Sequence, residues 1–128
     1  FYAVDLGEAL DARAAQRLLD PAEPMHAIGA FDAGGQLLGI VHCIFHRSTW
    51  TEGPYCYLQD LFTVPAARGR GVARALIEAV YARAAAEGAS RVWWLTHESN
   101  APGRLLYDRV AQNVGFIQYR KNLPAKKL

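Results

Sequence analysis

The sequence has little of what marks the specialised protein classes. Two cysteines in 128 residues are too few for a disulfide scaffold. No run approaches the ~18 apolar residues of a membrane span. Charge of one sign is also scarce: 14 Lys and Arg against 12 Asp and Glu give a net +2. The basic residues gather only around positions 68–74 and in the tail, at Arg120, Lys121, Lys126 and Lys127. That distribution gives no reason to propose a nucleic-acid partner, and none to propose a membrane surface. The start, Phe1-Tyr2-Ala3, lacks the charged and apolar regions of a signal peptide. Position 1 is not Met, so we expect a segment upstream. Cys43 and Cys56 have no Cys or His partners at metal-ligand spacing, and His42 and His46, four apart, fall in a strand-like run. No metal site is expected. In a cytoplasmic protein the two cysteines read as free buried thiols, facing one another if their strands form a hairpin turning near residues 49–50.

What is present is the ordinary composition of a globular domain, about half apolar and one fifth charged, long enough to bury its own core. The stretch with the most chemistry runs Tyr57-Leu58-Gln59-Asp60-Leu61-Phe62-Thr63-Val64-Pro65, then Ala66-Ala67-Arg68-Gly69-Arg70-Gly71-Val72-Ala73-Arg74. It reads as a strand, a turn opened by Pro65, a glycine loop and the start of an Ala-rich helix. A helix start leaves backbone N–H groups without partners and carries the positive end of the helix dipole, so it attracts an anion. Arg68, Arg70 and Arg74 add guanidinium groups, which grip phosphate oxygens well. The spelling narrows the guest. A Walker loop needs Gly-Lys-Ser or Gly-Lys-Thr, and a dinucleotide fingerprint needs a third glycine where Arg74 stands.

The remaining pattern, Arg68-x-x-Gly71-x-Ala73 after an apolar strand and before a helix, resembles the pyrophosphate-binding motif of the GNAT superfamily of acyl-CoA-dependent N-acetyltransferases. Farther on, Asn100, Tyr107 and Gly115-Phe116 are similar to that family's Asn…Tyr…Gly-Phe pattern, with Asp108 to Val114 as a longer spacer than usual. The resemblance covers roughly residues 25–120.

Periodicity places the elements. Good helix formers over 8–19 end at Asp20-Pro21. Strands are expected over 26–32 and 36–47, joined by the Ala33-Gly34-Gly35 turn, and a third over 55–64. A helix over 72–86 presents Val72, Leu76, Ile77 and Val80 on one stripe, with Gly88 as its left-handed cap. A strand over 91–97, a helix from Asn100 to Val110 or Val114, and a closing strand over 114–120 complete the chain. Strands separated by a helix lie parallel, whereas the earlier ones form an antiparallel meander. The expected class is therefore a single α/β domain over 1–128 with a mixed sheet, the fold the resemblance implies, with its usual first strand missing.

The resemblance also implies a chemistry: direct attack of a neutral amine on the thioester of acetyl-CoA. Backbone groups of Phe62, Thr63 and Val64 would hold the pantetheine arm. Arg68, Gly69, Arg70, Gly71, Val72, Ala73 and Arg74 would hold the pyrophosphate, with Asn100 also on the cofactor. Tyr107 would protonate the departing thiolate. An amine with a pKa near 10 must lose a proton before it attacks, so a base is needed. Asp60 sits mid-strand, where a buried carboxylate needs a partner or a task, and both readings stand. Glu98, His97 and His46 are the other candidates. The strand run is similar to that of polyamine acetyltransferases, with Gln59 where those have Glu. Trp50, in a polar connection, is expected at the mouth of the acceptor site, and the acceptor itself is a small amine, a polyamine-like compound or a lysine side chain. The family's habit of dimerising suggests a homodimer. A non-catalytic acyl-CoA-binding module of the same fold is the alternative reading.

Overall fold

The computed structural model describes residues 2–5 and 22–125, the first four by their backbone. The chain divides into two units, Phe1–Leu95 and Thr96–Leu128. The first unit is a five-stranded sheet in sequence order: β1 (Tyr2–Asp5), β2 (Met25–Phe31), β3 (Leu37–His46), β4 (Tyr55–Thr63) and β5 (Val92–Trp93). Neighbours among the first four are antiparallel, and β5 joins β4 in parallel. The mixed sheet read from the sequence is thus present. Two details differ in this unit. A strand pairs ahead of β2, where none was expected, and β5 is two residues long, because only Val92 and Trp93 find partners, in Cys56 and Tyr57. The helix expected over 8–19 lies outside the described residues.

Helix α1 (Val72–Ala86) covers one face of the sheet. Val72, Leu76, Ile77, Val80 and Ala84 are its buried stripe, and they meet Ile28, Ala30, Val41, Cys43, Cys56 and Leu58, which alternate along the strands as a half-covered sheet requires. Each fully buried Leu, Ile or Val side chain contributes about 1.5–3 kcal/mol. Gly39 makes the contact close. A Cβ there would lie 2.8 Å from the Phe62 carbonyl and about 3 Å from Val72 and Leu76. The helix ends at Gly88, left-handed at φ 78°, with Ala89 N–H on the Ala84 carbonyl and Gly88 N–H on that of Ala85.

Cys43 and Cys56 are fully buried and unbridged. Cys43 pairs in register with Leu58, and Cys56 with Phe45. The thiols therefore lie diagonally on one face instead of opposite one another, since the register of the two strands centres between Trp50 and Thr51, one residue later than a hairpin turning at 49–50. A hydrogen bond from Cys43 lowers the Cys56 thiol below its ordinary value, against the opposing effect of burial.

The second unit holds α2 (Ala101–Val110), capped by Asn100, whose Oδ1 accepts from Gly103 N–H at 3.3 Å. The strand expected over 114–120 is not formed. Asn113 Oδ1 accepts from Gly115 N–H, Gly115 stands at φ 85°, and this local turn takes the chain out of extended conformation at the point where pairing would begin. Among the described residues no helix is long and apolar enough to cross a membrane.

Candidate active site

The site is organised by a break in β4. His42 of β3 pairs with Gln59 and Ile40 pairs with Phe62, so Val41 faces two residues, Asp60 and Leu61. This is a β-bulge, and Asp60 is its left-handed residue at φ 58°, the only non-glycine with positive φ among the described residues. Asp tolerates this conformation better than most side chains, because it can bond its own surroundings. The bulge turns the carboxylate outward, leaving the Asp60 side chain 66% exposed. The premise that it would be a buried mid-strand charge is therefore corrected: the strand is interrupted at that residue.

The bulge also inverts the direction of the backbone groups. Before it, Cys56 donates its N–H to Arg91 on the β5 side. After it, Val64 donates to Leu38 on the β3 side, and the Phe62 carbonyl lies against Gly39. By the two-residue alternation of a strand, Leu61 and Thr63 then direct their N–H groups away from β3. On that side β5 has already left, since its pairing stops at Tyr57. Past Tyr57, no strand among the described residues pairs with β4 on that side. Of the three residues expected to offer backbone groups, Thr63 faces this edge whereas Phe62 and Val64 face β3. Leu61, not singled out from the sequence, faces it as well.

The open edge leads into the glycine loop. A 3-10 turn over Pro65–Ala67, with Ala67 buried, carries the chain to Gly69 and Gly71, both left-handed at φ 79° and 78°. A Cβ at either would meet nothing within 4 Å, so glycine is required there for conformation and not for space. Gly71 is the N-cap of α1 and no side chain caps the helix there, so the N–H groups of the first turn are turned toward the loop without a capping acceptor. Arg68 and Arg70 are exposed around them. Arg74 bonds Glu78 one turn on, at 3.1 Å, and no acidic residue lies in the first turn. The geometry is that of an anion site beside an edge able to accept an extended ligand.

Other candidates are placed less favourably. His46 uses both ring nitrogens: Nδ1–H donates to the Arg47 carbonyl at 3.0 Å, and Nε2 accepts from Trp93 Nε1–H at 2.9 Å. It holds Trp93, which stacks on Tyr57 with ring centres 4.4 Å apart. Trp50 is 89% exposed in the β3–β4 connection, at the end of β4 away from the glycine loop. That position is separate from the glycine loop and by itself lends no support to the expectation that Trp50 marks the acceptor mouth. A cavity of about 510 Å³ lined by Phe45, His46, Arg47, Glu52 and Pro54 opens at that same far end. Among the described residues no cluster of His, Cys, Asp and Glu could hold a metal ion.

The second unit carries the rest. Asn100 spends its side chain on the cap and on Thr96 Oγ1, to which Nδ2 donates at 2.9 Å. The Glu98 carbonyl accepts from Arg104 at 2.7 Å. Tyr107 lies two turns along from Asn100, and partial burial raises its hydroxyl above the ordinary tyrosine value near 10, so it remains a proton donor.

A bulged central strand, a parallel neighbour that departs after two residues, and a glycine loop capping the next helix define an acyltransferase-like fold. The chain belongs to the acetyltransferase (GNAT) family, whose model matches residues 2–111. It is 36% identical over 107 residues to the D-amino-acid N-acetyltransferase HPA3 of Saccharomyces cerevisiae, covering 83% of this chain and 66% of that protein. It is 30% identical over 97 residues to the uncharacterized N-acetyltransferase YhfO of Bacillus subtilis, covering 74% and 65%. The chain thus spans just under two thirds of the length of these relatives. Among solved structures, AAC(6')-Iy in complex with the bisubstrate analogue CoA-S-monomethyl-acetylneamine shares the fold at a TM-score of 0.72 and 20% identity, over 90% of this chain and 82% of that one.

Proposed function

We propose that the chain is an acetyl-CoA-dependent N-acetyltransferase whose acceptor is the amino group of a small molecule, with free amino acids first among the candidates. The observation that carries this reading is the unpaired edge of β4 running directly into the glycine-capped start of α1. An extended pantetheine arm can pair with that edge while the pyrophosphate takes the free N–H groups of 71–74 and the guanidinium groups of Arg68 and Arg70. The structural relative bound to a CoA analogue, and the yeast relative named for D-amino acids, support the choice of donor and acceptor.

In the reaction, the amine nitrogen bonds to the acetyl carbon and the carbon–sulfur bond breaks, its electron pair leaving on the CoA sulfur. Thr63 N–H, or Leu61 N–H, is suited to the oxygen that gains charge on the way. Asp60, exposed beside the edge, attracts the ammonium form and takes the proton that must be lost. Tyr107 supplies a proton to the sulfur. Glu98 stands as the second carboxylate for that proton transfer, should Asp60 only bind.

The test is release of CoA thiol from acetyl-CoA with D- and L-amino acids, diamines, polyamines and lysine peptides as acceptors. Turnover with an amino acid is the expected result. Tight binding of acetyl-CoA without turnover on any acceptor would leave a non-catalytic binding module and overturn the reading.

A further inference from the structure

We infer that His42 is the positioning residue of this site: its Nδ1–H holds the Asp60 carboxylate in the orientation that receives the amine's proton. The inference rests on the transferase reading above and adds to it a residue on a different strand. Its basis is the hydrogen bond between His42 Nδ1 and Asp60 Oδ2, at 3.2 Å across the bulge.

The bulge makes such a partner necessary. Asp60 lies at the break in the β3–β4 register, and its side chain stands 66% exposed. An exposed carboxylate on a short side chain samples several rotamers unless something holds it. His42 is placed to do so, because it pairs in register with Gln59, the residue before the bulge, and is itself only 26% exposed.

The other ring nitrogen settles what kind of partner His42 is. Nε2 is buried and has no hydrogen-bond partner among the described residues. With the proton on Nδ1, the ring donates to the carboxylate and keeps Nε2 as a bare acceptor. The ring in this tautomer orients Asp60 through Nδ1–H, while Nε2 makes no bond among the described residues that would turn the ring elsewhere. His46 shows the contrast within the same strand, for there both nitrogens are satisfied and the ring serves only to hold neighbours.

The experiment compares His42→Leu, His42→Asn, Asp60→Asn and the His42→Leu/Asp60→Asn pair against the active wild type, reading kcat, KM for the amine and acetyl-CoA affinity by calorimetry. His42→Leu should lower kcat by about tenfold to a hundredfold while acetyl-CoA affinity stays within about twofold. His42→Asn, whose amide can donate from near the Nδ1 position, should recover most of that loss. The pair should lose no more than Asp60→Asn alone, since His42 acts through Asp60. Unchanged kcat in His42→Leu, losses that multiply in the pair, or a loss seen only in acetyl-CoA affinity would each overturn the inference and leave the transferase reading standing. A wild type inactive on every acceptor overturns both. Long-range proton–nitrogen spectra of the wild-type ring supply a readout independent of turnover: protonation at Nδ1 is expected, and a ring protonated at Nε2 refutes the role.

Discussion

Replacing Gly71 by Ala should expose what the glycine loop costs to hold. Gly71 stands at φ 78°, and an added Cβ would meet nothing within 4 Å. Sterics with neighbours therefore play no part, and the penalty is the left-handed backbone itself, about 1–2 kcal/mol for an L-residue with a Cβ. Loss of glycine's freedom in the unfolded chain returns about 0.4–1 kcal/mol. Two outcomes follow from where the strain is borne. If the loop keeps its conformation, net stability falls by about 1 kcal/mol, a drop of roughly 3–5 °C in Tm for a chain of this size, with little change in acetyl-CoA affinity. If the loop relaxes, Tm holds or rises slightly, and the ligand must rebuild the left-handed turn on binding. Its Kd then rises by about 5- to 30-fold, the equivalent of the same 1–2 kcal/mol. Calorimetry and thermal unfolding on one preparation separate the two. Gly71→Asn is the control, because Asn accepts positive φ more readily, and it should lose less on whichever axis Ala loses. A Gly71→Ala protein with both Tm and Kd unchanged would refute the conformational account, as would Asn faring as badly as Ala.

Gly39→Ala should destabilise by about 1–3 kcal/mol in urea unfolding, since its Cβ meets backbone at Phe62 and side chains of Val72 and Leu76 that have nowhere to go. An unchanged midpoint would show that β3 and β4 can part freely. Tyr107 and Tyr81 are both raised above the ordinary value near 10, Tyr107 by burial and Tyr81 by burial and then Glu78. Below that value both tyrosines are protonated folded or unfolded, so they add no pH dependence. Above it the unfolded chain ionises first, and stability falls as pH rises toward the folded values. Melting curves between pH 8 and 11 should show the fall, and Tyr107→Phe should lessen it; stability that climbs over that range would contradict the sign. Cys43 and Cys56 are 0% exposed, so a thiol reagent should label them only as fast as the sheet opens, at a rate that grows with urea. Immediate labelling in native buffer would place them at the surface.

Much of the donor side was legible in the sequence because it is written in local chemistry. Glycines that must turn left-handed, an apolar stripe of period near 3.6 and a glycine cap all act within a few residues, and α1 runs over the span those signals mark. The acceptor side depends on register, which is set by the turn two strands share. A hairpin turning where β3 and β4 actually turn puts His42 opposite Gln59 and next to Asp60; the pattern of the strands alone does not say where that turn falls. The bulge is less legible still, because one strand-disfavouring Asp in Gln59-Asp60-Leu61 does not by itself say that the strand breaks there. Asp60 is an oddly placed charge for a strand, and the break is what makes it tolerable. The strand expected over 114–120 failed for the converse reason. Its residues suit a strand, but strand formation needs a partner, and the turn at Asn113 and Gly115 diverts the backbone first.

The inverted backbone parity after Asp60 leaves a mark that amide hydrogen exchange would read residue by residue. Val64 donates its N–H to Leu38, and Phe62 faces the same side, so both amides should exchange slowly whether or not a ligand is bound. Leu61 and Thr63 point the other way, where β5 offers no carbonyl, and should exchange fast in the empty protein. Binding along that edge would slow those two and leave their neighbours unchanged. Fast and slow amides would then alternate along one short strand, and the alternation would fade with occupancy, recording which side of β4 a ligand has taken.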